Sequence, residues 1–144
     1  MTTLLSLALL LQAAPTPPEA VTLRGQVVAM TEVLDAFGVK ADREPLAQQV
    51  ALKQEDGSIV PLLPDEASRA FALDERLRHR PVELQARRFP GLPYVQVTAV
   101  KVEHEGRLRT PEYYCDVCTI SVRYPQACPC CQGPMELRMK PERL

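Results

Sequence analysis

The chain has 144 residues, a formal net charge of −1, and 46% hydrophobic and 24% charged side chains. That length holds one compact domain and a small appendage, and the balanced charge excludes an electrostatic drive towards nucleic acid or an anionic membrane. Aromatics make up 5% of the chain with no Trp, so recognition by stacking has few candidate side chains, and 14 prolines favour short strands and loops over long helices.

The chain begins with an apolar run, Leu4-Leu5-Ser6-Leu7-Ala8-Leu9-Leu10-Leu11, and carries no charge before Glu19. The run is too short for a bilayer, which needs about 20 residues, and has the length of a signal-peptide core. Ala13-Ala14 and the Pro-rich stretch from Pro15 to Pro18 follow. Residues 1–20 are therefore expected to be an export signal and linker, delivering the protein to the periplasm or the outside of the cell. No Lys or Arg precedes the run and no small-x-small cleavage triplet stands out, so a docked apolar helix or an uncleaved anchor is the alternative. No membrane span is expected in the mature chain.

Val21, Leu23, Gly25, Val27 and Ala29 alternate with polar residues at Thr22, Arg24 and Gln26, the period of a half-buried strand. Residues 35–47 are mixed and polar and read as a connection. Val50-Ala51-Leu52 and Ile59-Val60-Pro61-Leu62 flank Asp56-Gly57, a strong hairpin signal, and Pro61 points to an edge or a bulge. Residues 65–79 read as a helix, with Asp65 and Glu66 in its first turn and Arg76, Arg78 and Arg80 at its end. Ala70, Leu73 and Leu77 would share one face, Phe71 would lie beside them, and Pro81 would stop it. Val82, Leu84 and Ala86 alternate in another strand, and Phe89-Pro90-Gly91-Leu92-Pro93 is a turn. Residues 94–103 form a long strand whose apolar parity changes between Ala99 and Val100, as a bulge or bend would produce.

Strand, hairpin, helix and two strands is the order of the OB-fold, a small Greek-key barrel. A helix-on-sheet α+β sandwich is the competing architecture. Val21-Thr22-Leu23-Arg24-Gly25-Gln26-Val27-Val28, the Asp56-Gly57 hairpin and Pro81-Val82-Glu83-Leu84-Gln85-Ala86 together resemble small bacterial exported OB-fold domains. The resemblance implies a mainly β chain with a five-stranded OB-like barrel and one helix over residues 21–108. It implies no activity, since these barrels host many.

All five cysteines fall within 17 residues, and nine residues separate Cys115-Asp116-Val117-Cys118 from Cys128-Pro129-Cys130-Cys131. Two C-x-x-C turns can bring four thiolates to the corners of a tetrahedron. The expected ligands are Cys115, Cys118, Cys128 and Cys131, in a unit spanning residues 109–144. Ile120 and Val122 would form a strand after the first turn, and Met135, Leu137 and Met139 alternate after the second. Tyr113 and Tyr114 could cover the site. This segment resembles zinc ribbons and rubredoxin-like domains, although Thr119 and Gln132 stand where those families usually place Gly. Structural zinc, two disulfides, and iron or a redox-active C-x-x-C compete as readings. About 30 residues bury too little apolar surface to fold unaided, and zinc would supply the missing stability. Cys130, between two expected ligands, should point away from the metal.

His79 and His104 lack ligand spacing to the cysteines and read as surface residues. Arg76, Arg78, Arg80, Arg87 and Arg88 are locally basic, but Glu75 and Glu83 interrupt them, and Phe89 and Tyr94 are the nearby aromatics. No catalytic triad, phosphate loop or carboxylate pair is discernible. The expectation is a non-catalytic, exported binding or assembly module with a structural zinc site and another protein as partner. The alternatives are a binder of single-stranded nucleic acid and a rubredoxin-like electron-transfer protein.

Overall fold

The structure, a computed structural model, describes residues 14–141. The apolar run at residues 4–11 lies outside the described residues. The chain is mainly β. In order, β1 is Glu19–Ala29, α1 Met30–Ala36, α2 Arg43–Leu46, β2 Val50–Lys53, β3 Ile59–Pro61, α3 Arg69–Leu73, β4 Pro81–Arg88 and β5 Val95–His104. β6 (Arg107–Arg109), β7 (Pro111–Cys115), β8 (Ile120–Val122) and β9 (Glu136–Met139) complete it. Among the described residues no helix is long and apolar enough to cross a membrane.

β3-β2-β1-β4-β5-β6 form one antiparallel sheet, and β8-β7-β9 a second. The closed five-stranded barrel expected from the sequence is corrected: this is an open six-stranded sheet with β3 and β6 at its edges. β3 turns away after three residues at Pro61, which has no N–H to donate. Beyond it one parallel bridge joins Leu62 to Val95, supported by the Leu63 N–H donating to the Val95 carbonyl at 2.9 Å. Pro61 does mark an edge strand. The parity change in β5 is also real: Gln85 pairs with Ala99 but Ala86 with Val97, so Thr98 is the extra residue of a bulge.

Leu23, Val27, Leu52, Phe71, Leu77 and Leu84 lie at the centre of the core. Gly25 interrupts the apolar face of β1 because a side chain there would collide with the backbone carbonyl of Lys53. The single helix expected over residues 65–79 is corrected to the short α3 and a 3-10 turn, Glu75–Leu77. Asp74 breaks it. Its backbone is extended (φ −129°, ψ 105°), and its carboxylate accepts the Arg76 N–H at 3.0 Å, capping the second turn. The break buries Ala70, Phe71 and Leu77 but leaves Leu73 44% exposed, against the expected shared face. The connection expected at residues 35–47 contains the end of α1 and all of α2. α1 is started by Glu32, whose carboxylate accepts the Ala29 N–H at 3.3 Å. It is stopped at Gly38 (φ +70°), where the Val39 N–H reaches back to the Leu34 carbonyl at 2.9 Å.

The two sheets share one core. Tyr113 of β7 is 1% exposed within the main cluster, and Val122, Tyr124, Met135, Leu137 and Met139 pack against it. The division expected between residues 108 and 109 lies within β6.

Candidate metal centre

Both halves of the cysteine cluster are built alike. Cys115 ends β7, and the turn after it brings the Thr119 N–H to the Cys115 carbonyl at 2.8 Å. In the second half the Gln132 N–H meets the Cys128 carbonyl at 2.9 Å. Each fifth residue is left-handed, Thr119 at φ 56° and Gln132 at φ 60°. This explains why Gly is common there in similar knuckles and why its absence here does not prevent the turn. Gly133 sits where an added Cβ would lie 3.3 Å from the Cys131 sulfur, and its carbonyl accepts the Cys128 N–H at 2.9 Å.

The sulfurs of Cys115, Cys118, Cys128 and Cys131 all lie within 4.8 Å of one another. Cys115 and Cys131, from different knuckles, are 3.6 Å apart. Metal–sulfur bonds of about 2.3 Å place tetrahedral sulfurs about 3.8 Å apart, whereas a disulfide requires about 2.05 Å. All five cysteines are free thiols. The donor set therefore fits a metal ion, and the four residues are positioned to hold one.

The electrostatics prepare the site unevenly. The backbone N–H groups of Cys131 and Cys130 point at the Cys128 sulfur and stabilise its thiolate, pulling Cys128 down to about 7. At Cys115 the Cys118 N–H pulls the same way, but burial and the Cys128 and Cys131 thiols outweigh it and leave the group raised. Cys118 is raised most by the neighbouring Cys130 thiol, then by burial and by Cys131 and Cys128. Metal binding requires all four as thiolates. Four sulfurs fill a tetrahedral shell and leave no position for substrate or water.

Cys130 is exposed and outside the four-sulfur group. Tyr113, expected as a cover, is turned to the core instead: its hydroxyl donates to Asp74 Oδ2 at 2.7 Å. The same carboxylate accepts from the Arg76 guanidinium at 2.9 and 2.7 Å. Tyr114 lies beneath the Arg138 guanidinium, 3.3 Å from the ring centroid, and Arg138 also bonds the buried Glu112 at 2.7 Å. These contacts, which sequence reasoning missed, tie the cysteine-bearing strand to the turn after α3 on one side and to β9 on the other. Apart from the Asp74–Arg76 pair they join residues far apart in the chain, so no local spacing signals them.

Neither histidine joins the thiol group. His79 Nε2 lies 3.2 Å from Glu32, and His104 Nε2 lies 3.9 Å from Glu105. The basic stretch is partly neutralised, Arg76 by Asp74 and Arg78 by Glu75 at 3.0 Å. Comparisons with protein-family models, curated proteins and solved structures find no match to this chain.

Proposed function

We propose that this protein is a non-catalytic, exported binding or assembly module, an OB-like sheet carrying a ribbon whose zinc ion is structural. The observation that carries it is the four-thiol cluster, all sulfurs within 4.8 Å. A zinc ion there ties the β7–β8 turn to the 128–131 loop, and β9 follows from that loop. It supplies stability that so small a three-stranded sheet lacks. The OB-like reading is supported by the strand order and by the parallel bridge from the end of β3 to the start of β5. Export rests on the apolar run at residues 4–11. Metal analysis with thiol counting on protein from its native host tests this: one zinc per chain and one free thiol, Cys130, is the expected result. No metal and at most one free thiol would replace the zinc centre with disulfides.

A second reading has one observation in its favour. Backbone N–H groups aimed at Cys115 and Cys128 are also how a protein tunes an iron–thiolate potential. A red, iron-loaded native protein with visible absorption would favour electron transfer, and a colourless one rejects it.

A further inference from the structure

Where the two sheets meet, the larger one leaves a cavity of about 140 Å³. Phe71 and Leu77 lie fully buried beneath it, and the half-exposed Ala67, Val100 and Pro111 give it its apolar wall. Three alanines keep it open, Ala67 and Ala70 at α3 and Ala99 on the bulged part of β5. The Thr98 bulge and Pro111 at the start of β7 line it further. Two cations, Lys101 and Arg123, stand among the lining residues, and no Asp or Glu does. Lys101 has one long contact, 3.8 Å, to Glu83, whose other oxygen is held by Arg24 at 2.6 Å. Among the described residues no ion pair or hydrogen bond engages the Arg123 side chain.

An apolar wall beside Arg123, which has no acidic partner among the described residues, selects an amphipathic anion. The volume sets its body: an engineered apolar cavity of about 150 Å³ accepts benzene. We propose that this cavity binds a monocarboxylate with a compact, ring-sized apolar body, its ring against Val100 and Pro111 and its carboxylate against Arg123. Ligand sites favour such junctions between structural units, with few polar groups fixing orientation. None of the cysteines lines the site, but Pro111 of β7 and Arg123 just after β8 do, so the proposal rests on the ribbon being folded as the metal reading has it.

The test is NMR titration of the full-length, metal-loaded protein with benzoate, against benzyl alcohol as the uncharged counterpart. Benzoate should saturate with a Kd of about 1 mM, as expected for a ligand this small. The shifts should centre on Ala67, Ala99 and Val100. Benzyl alcohol and the Arg123→Gln variant should each weaken binding about tenfold, the usual scale for losing one charged hydrogen bond. Ala99→Leu, at an exposed position that tolerates it, should abolish binding by filling the mouth. Non-saturating or scattered shifts with benzoate overturn the proposal, as does equal binding of benzyl alcohol or unchanged affinity in Arg123→Gln.

Discussion

Replacing Tyr113 by Phe removes one hydroxyl and leaves the ring that fills the core. The hydroxyl donates to Asp74 Oδ2 at 2.7 Å, across 39 residues of sequence, with Tyr113 1% and Asp74 7% exposed. A hydrogen bond to a buried charge contributes about 1.5–3 kcal/mol net. Asp74 keeps both Arg76 contacts, so the lower part of that range applies, and a chain of this size should melt roughly 5 °C lower. Burial, and then the Asp74 contact, push the Tyr113 phenol above its ordinary range, so it remains a protonated donor wherever the fold survives. Asp74 is held below the usual carboxylate range by Arg76 first, against burial, and then by Tyr113. Its folded value is depressed, so its contribution is present above the unfolded carboxylate value and is lost as pH falls through the folded one. In Tyr113→Phe one of the groups holding it down is gone, so its folded value lies closer to the unfolded one, and the acid-labile part of its contribution should be smaller and be exhausted at higher pH. Urea unfolding of wild type, Tyr113→Phe, Asp74→Asn and the double variant gives the coupling directly. A coupling near or above about 1 kcal/mol is expected. Strict additivity, or a Tyr113→Phe variant as stable as wild type, would refute the idea that this bond fastens β7 to the turn after α3.

Three further outcomes are expected. Thr119→Gly relieves a β-branched residue at φ 56°. The left-handed penalty of about 1–2 kcal/mol exceeds the glycine entropy cost of about 0.5–1 kcal/mol, so thermal melts should show modest stabilisation; a clear loss would count against the knuckle geometry. Cys118→Ser should lose its metal on dialysis against chelator while Cys130→Ser keeps it, and equal loss in both would remove the distinction between ligand and bystander. Gly25→Ala should cost about 2–3 kcal/mol through the collision with the Lys53 carbonyl, read by urea midpoint, and a neutral result would show that β1 and β2 can separate there.

The strands were legible because the larger sheet buries one face, so period two survives in Val21–Val27 and Val82–Ala86. The cysteine cluster was legible because ligand spacing is local. What was hidden depended on partners distant in sequence. Asp74 looks like a helix interior position until Arg76 and Tyr113 claim its carboxylate. α1 buries none of its residues, so it offers no apolar face to detect, and its signals were confined to Glu32 at its start and Gly38 at its end. Barrel closure could not be judged from strand order, because it depends on how far β3 runs beyond Pro61. The left-handed backbone at Thr119 and Gln132 was visible only as an absence of the usual glycine.

The central claim is a closed four-thiolate metal centre. X-ray absorption at the metal edge, on protein purified from its native host, addresses it most directly. Four sulfur neighbours at about 2.3 Å from zinc, with no oxygen or nitrogen in the shell, are predicted. Fewer than four sulfurs, a light-atom ligand, or a metal-free protein with its cysteines oxidised would contradict it.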